Sequence, residues 1–244
     1  MHREVEPTSL VLWSDEHLLV VNKPAGLPTL PDGWAPGPHV RSVLEPVYGR
    51  LWIVHRLDRF TSGLLVLART AQAHRSLNLQ FDEHRVEKVY HALVVGVPAW
   101  ESLIVELPLR ADGDRKHRTV VDPQAGKPSV TELRVLRRLE GYALVEAIPR
   151  TGRTHQIRAH LAAVGHPVAA DRLYGGGEAV FATAAASPFP EEKPGRPLLD
   201  RPGLHARFLA IRHPVTGERL AFEAPYPADL AETLDDLRRA AVSR

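Results

Sequence analysis

The stretch VHRLDRFTSG, Val54 to Gly63, sets a single carboxylate, Asp58, among His55, Arg56 and Arg59, with Thr61 and Ser62 beside it. Such a carboxylate could serve a reacting centre as a charge or a base, or it could close a turn with its neighbouring hydroxyls. Ser62 with His55 or His155 raises the idea of a Ser/His/Asp hydrolase, but the G-x-S-x-G elbow that exposes such a serine is missing. His155, His160 and His166 do not form H-E-x-x-H, and their spacings keep all three off one helical face, so no metal site is expected. Neither a Walker A motif nor a G-x-G-x-x-G after a strand is present, so a nucleotide cofactor has no anchor. Three more segments carry polar function: NKPAG (22–26), EKVYHALVVG (87–96) and RTGRTHQIRAHLAAVGHPVAADRLYG (150–175). Singly, Tyr90 reads as a packed strand aromatic, and Gly152 and Gly165 as the ends of local elements.

The elements that must position these residues follow from periodicity. Residues 9–23 read as two short strands around the turn Ser14-Asp15-Glu16, and 27–39 as a Pro/Gly-rich loop. VRSVLEPVYG suggests a short helix, and Gly63 to Arg69 a buried strand. Thr70 can cap a helix over 71–84, where Ala73, Leu77 and Phe81 recur at fourfold spacing. Alternating or β-branched runs at 86–96, 102–109, 117–122, 129–138 and 141–149 predict a meandering, mostly antiparallel sheet. RTHQIRAHLAAVG (153–165) predicts a helix stopped by Gly165. Residues 175–203 lack pattern and read as a mobile insertion; strands at 204–212 and 218–223 and a helix near 227–241 follow. No linker separates independent domains, so 1–244 is expected to form a single catalytic domain.

Together and in this order, HRLDRFTSG, KVYHALVVG and TGRTHQIRAH, with GHPVAADRLYG and LHARFLAIRHPVTGE, resemble the RluA-type pseudouridine synthases over about residues 9 to 227. Phe60 stands where many relatives carry a polar residue, and Gly203 where an apolar one is frequent before LHA. The resemblance implies a mixed α+β fold, the pseudouridine synthase fold: a mostly antiparallel central sheet in two halves, flanked by helices, with a central cleft. It implies an isomerisation of uridine within RNA, with Asp58 as catalytic aspartate, Arg158 as its ion partner and Tyr90 as the active-site tyrosine. Arginine suits that role, since it stays charged and meets a carboxylate in a bidentate fork. Arg56 would hold the extruded nucleotide, Tyr90 would stack on the flipped uracil, and Ile157 would pack on its other face. Lys23 and Arg153 are candidate phosphate contacts. His155 and Gln156 either orient the loop carrying Arg158 or touch RNA. No S4-like RNA-binding module is expected ahead of the domain.

Composition agrees with these expectations. The chain of 244 residues, 44% hydrophobic and 25% charged, can bury a core unaided, and zero cysteines exclude disulfides and thiolate chemistry. A formal charge of +2 conceals bunching: Arg50, Arg56, Arg59, Arg69 and Arg75 face one acid, Asp58, between positions 50 and 75. Arg150, Arg153, Arg158 and Arg172 likewise stand against Asp171 alone between 150 and 172. A polyanion, ribosomal or transfer RNA, is the expected partner. With no apolar stretch of about 20 residues and no signal-peptide core, a cytoplasmic location without membrane contact is expected. A monomer without cofactor or metal completes the expectation. The competing reading is a non-catalytic RNA-binding chaperone of the same fold, against which the joint presence of Asp58, Tyr90 and Arg158 argues.

Overall fold

The computed structural model describes residues 6–31, 37–181 and 197–242. The chain gathers into two compact units, one from Met1–Lys88 and Ala206–Pro225, the other from Val89–His205 and Tyr226–Arg244. The architecture is mixed α+β, with few helices and a large, mostly antiparallel set of strands.

In the first unit, β1 (Val11–Ser14) and β2 (Leu18–Lys23) form the expected hairpin around Asp15, whose carboxylate accepts the amides of His17 and Leu18. β2 pairs antiparallel with β4 (Ser62–Ala68), and both read as nearly continuous apolar runs because both faces are covered. The short β3 (Trp52–Ile53) also pairs with β4. Helix α1 (Val40–Tyr48) precedes it. Helix α2 (Ala71–Asp82) starts where Thr70 Oγ1 accepts the Ala73 amide, and it turns Ala73, Leu77 and Phe81 onto Leu18, Val20, Leu64 and Val66. On the other side of β4 lies β11 (Leu204–Arg212), which pairs with β12 (Arg219–Glu223). Gly63 stands opposite Lys23 with φ of +110°, and a Cβ there would lie 2.2 Å from the Ala206 carbonyl oxygen. Glycine alone lets β11 approach β4 so closely.

In the second unit, β5 (Glu87–Val95, which begins in the first) pairs with β10 (Tyr142–Pro149), β10 with β9 (Val130–Arg138) and β9 with β6 (Ser102–Glu106), all antiparallel. The predicted strands 102–109 and 117–122 are shorter than expected. Only Leu109–Arg110 (β7) and Val120–Val121 (β8) pair beyond β6, because the Asp114 carboxylate draws the Lys116 and Arg118 amides into a turn. Helix α3 (Gln156–Ala163) lays Ile157 and Leu161 on Ala92, Val94, Val145 and Ala147. The final helix α4 (Ala228–Val242) inserts Leu230, Leu234 and Leu237 beside Leu93, Leu144 and Ala169. The unpatterned segment 175–203 is anchored at both described ends by a bridge between buried Val180 and Leu199; its centre, 182–196, lies outside the described residues.

Candidate active site

Asp58 occupies a turn whose flanks are clamped to the loop 23–29. Thr29 Oγ1 accepts the Leu57 amide at 3.1 Å and donates to the Leu57 carbonyl at 2.9 Å. On the other flank the Arg59 carbonyl accepts the Gly26 amide at 2.8 Å, and Arg59 Nε donates back to the Gly26 carbonyl at 3.2 Å. The Thr61 amide closes the turn on the Asp58 carbonyl at 3.1 Å. Leu57, Thr61 and Ser62 are buried, Asp58 and Arg59 half-buried, and Arg56 and Phe60 exposed. The carboxylate thus sits on rigid backbone, between exposed Arg56 and half-buried Arg59.

Lys23, expected at a phosphate, is placed elsewhere: it is fully buried, and its ammonium donates to the carbonyls of Pro24 at 3.0 Å, Leu27 at 2.8 Å and Arg59 at 3.1 Å. An ammonium has three donors, and desolvating it is tolerable only when acceptors replace water. Lys23 therefore braces the Asp58 turn from beneath instead of meeting RNA. His55 is likewise structural. Its Nε2 accepts the Val66 amide at 3.0 Å, and its ring stacks on Phe81 with centroids 4.6 Å apart. Burial and the nearby charge of Lys88 push its pKa down to about 3, so the ring is neutral. Ser62 is buried in β4, which removes it from any role as an exposed nucleophile.

In the second unit, Tyr90 lies in β5 opposite Ala147 and packs half-buried on the apolar cluster that contains Ile157. Ile157 itself is buried there. The helix predicted from 153 begins only at Gln156, because His155 takes a left-handed conformation, φ 51°, that no continuing helix accepts. Its C-terminus agrees with expectation: Gly165 carries φ of +84°, and the His166 amide reaches the Leu161 carbonyl at 2.9 Å. Gln156 is 4% exposed, and its amide is spent internally. The oxygen accepts from Thr151 Oγ1 at 2.7 Å and the Arg153 amide at 3.0 Å, while the nitrogen donates to the Val130 carbonyl and Thr131 Oγ1, both at 2.9 Å. Gln156 thus staples the loop before α3 to β9, which agrees with the first of its two expected roles, orienting the loop that carries Arg158. His155 is half-buried, its Nδ1 3.1 Å from the Tyr174 hydroxyl. Arg153, half-buried, points its guanidinium at the Pro128 carbonyl, 3.3 Å away.

Arg158 is 8% exposed and gives its Nε and Nη2 to the two oxygens of Asp171, at 2.6 and 2.9 Å. Sequence reasoning missed Asp171, counting it only as the acid offsetting four arginines. The available signal was an acid set directly after Val168-Ala169-Ala170, a buried run that leaves a carboxylate little access to water.

Residues 17–163 match the family described as RNA pseudouridylate synthase. The chain is 37% identical over 236 residues to the ribosomal large subunit pseudouridine synthase D of Pseudomonas aeruginosa, covering 94% of this chain and 72% of that protein. It is 38% identical over 224 residues to the dual-specificity RNA pseudouridine synthase RluA of Escherichia coli K12, covering 90% and 94% respectively. Among solved structures, the human RNA pseudouridylate synthase domain containing 1 superposes with a TM-score of 0.72 at 27% identity, over 100% of this chain and 98% of that one. With motifs, family match and relatives in agreement, the relatives across 90% or more of its length, the chain belongs to the RluA-type RNA pseudouridine synthases, isomerases of uridine within RNA.

Proposed function

We propose that the chain isomerises uridines of ribosomal or transfer RNA at a site built on Asp58, Arg158 and Tyr90. The reaction breaks the N1–C1′ bond, turns the detached uracil and joins C5 to C1′, so that N1 ends with the proton that C5 gives up. Asp58 supplies the carboxylate beside C1′, and Arg158 supplies the cation that pairs with it. Tyr90 stacks on the extruded uracil, with Ile157 beneath it, and its hydroxyl oxygen accepts the C5 proton as its own O–H proton is released through solvent toward N1. Arg56, exposed two residues before Asp58, holds the nucleotide out of its stack, since a base inside a helix cannot reach the carboxylate. Arg153 and His155 line the approach of the phosphate backbone. The observation that carries this reading is the Asp58 turn itself, a carboxylate fixed by paired hydrogen bonds on both flanks and bordered by Arg56 and Arg59.

The relatives' names point to large-subunit ribosomal RNA in one case and to dual specificity in the other, and the two RNA classes are separable by assay. Total RNA from cells lacking the gene is incubated with the purified protein, and new pseudouridines are mapped by a chemical label in the ribosomal and transfer fractions. Discrete new sites are expected. A folded protein that binds this RNA yet produces none would instead support the chaperone reading. The protein is expected to act as a cytoplasmic monomer, which light scattering of the purified protein and fractionation of the cell check.

A further inference from the structure

The fold treats two lysines of the first unit differently. Lys23 is fully buried and donates its ammonium to three carbonyls, whereas Lys88, at the second position of β5, is half-buried and donates to nothing internal. Among the described residues no carboxylate and no hydrogen-bond acceptor meets the Lys88 ammonium; its contact is the ring of Phe81, with Nζ 6.0 Å from the centroid. The neighbouring acids are committed elsewhere. Glu87, on the opposite face of the strand, accepts Arg219 Nε and Nη2 at 3.0 and 2.9 Å, and Glu83 pairs with Arg85. Burial pushes the Lys88 pKa down, with no acid to hold it up. A partly desolvated cation without a partner is costly, and such groups collect where a ligand supplies the missing charge. Its placement also matters. Phe81, over which the ammonium lies, stacks on His55 with ring centroids 4.6 Å apart, and the His55 imidazole feels the Lys88 charge. His55 opens the stretch that reaches Asp58 three residues later.

We propose that Lys88 takes a phosphate of the bound RNA strand at the His55 flank of the Asp58 turn. The phosphate contact expected of Lys23 thus falls to Lys88, the lysine whose donors the fold leaves open. This rests on the role of Asp58 proposed above. An ammonium is a point charge with three donors, so it meets phosphodiester oxygens whatever base they carry. Such a contact fixes where the strand lies and leaves the choice of sequence to other groups. The phosphate also gives the ammonium the acceptors that burial withholds.

The test compares wild type, Lys88→Met and Lys88→Arg as full chains across a salt series, on total RNA from cells lacking the gene. Methionine keeps most of the stem over Phe81 and removes the charge; arginine restores it. Single-turnover reactions give the enzyme concentration at half-maximal rate and the rate at saturation, while filter retention of the same RNA gives affinity without turnover. For Lys88→Met the half-saturating concentration is expected to rise about tenfold, and the log–log salt slope to become shallower by about 0.7, the share of one single-strand phosphate. The saturated rate should stay within about threefold of wild type, and the melting temperature should hold or rise, since no internal partner is lost. Lys88→Arg should recover the slope. An unchanged slope in Lys88→Met, a slope that Lys88→Arg does not recover, or a saturated rate that falls while half-saturation holds would overturn the proposal. So would a Lys88→Met protein that melts well below wild type or fails to fold, because the ammonium would then have a partner within the fold. Wild type that makes no pseudouridine would instead bring down the role of Asp58, and the slopes from filter retention would still decide that of Lys88.

Discussion

At position 58 an exchange of carboxylate for amide keeps volume and shape, so the turn clamped by Thr29 and Gly26 should survive it. Asp58→Asn is therefore expected to retain the wild-type melting temperature and RNA affinity within severalfold, while the single-turnover rate falls by about three orders of magnitude or more. Normal turnover by the folded variant would remove the carboxylate from the chemistry. The neighbouring histidine shows how local pattern misleads at this scale. In sequence, His55 adds a potential cation to the cluster. In the structure its Nε2 is committed to the Val66 amide, and burial with the Lys88 charge keeps it neutral. Protonation would set a new N–H against that donor, so His55 serves the strand and not the reaction.

At the scale of elements, the loop 23–29 exists to hold the turn at 57–61, and Lys23 is its cross-brace. Lys23→Met keeps the length of the stem but leaves the Pro24, Leu27 and Arg59 carbonyls without that donor. A destabilisation of about 3 kcal/mol is expected, read from urea denaturation, together with a lower turnover on RNA that stays bound. Unchanged stability would mean that water replaces the ammonium and that the brace is dispensable. The β4–β11 contact is less forgiving. Gly63→Ala must move the Ala206 backbone, since its Cβ would sit 2.2 Å from that carbonyl oxygen at φ +110°. The expected cost is about 3 kcal/mol or more, seen as a lowered unfolding midpoint or loss of folded protein. A variant that melts with wild type would show that the two strands can part without penalty.

For the whole molecule, pH dependence follows from the buried imidazoles. His55 falls from 6.5 unfolded to about 3 folded, and His160, buried between Thr131 and Leu107, is also lowered. Between those two pH values the unfolded chain binds the proton that the folded His55 refuses. Its contribution is present in full above pH 6.5 and is lost as pH falls toward about 3. The loss runs at no more than about 1.4 kcal/mol per pH unit for each such histidine. The urea midpoint should fall from about pH 7 to about pH 5, before most carboxylates titrate, and fall less in His55→Asn. An identical slope in the variant would place the effect elsewhere. The bunched arginines also change meaning at this scale. Arg150 is forked onto Glu132, Arg69 donates to the Asp15 carbonyl and Arg158 is held by Asp171. Arg50, Arg56 and Arg75 are the exposed members of the 50–75 group.

Contiguous pattern was enough for a large part of this protein. The family lay in HRLDRFTSG, KVYHALVVG and TGRTHQIRAH because each motif is local and their order is preserved in the chain. The strands and helices were readable for the same reason, since apolar periodicity and the caps Thr70 and Gly165 act over a few residues. What escaped depended on partners distant along the chain. Lys23 meets the Arg59 carbonyl 36 residues on, and Gln156 meets β9 25 and 26 residues back. Arg158 is forked onto an acid 13 residues ahead. A lysine or glutamine looks the same in sequence whether it faces phosphate or carbonyl, because residue type sets what a side chain can donate. Burial and the partner's position decide where the donor points, and those exist only once the chain has folded.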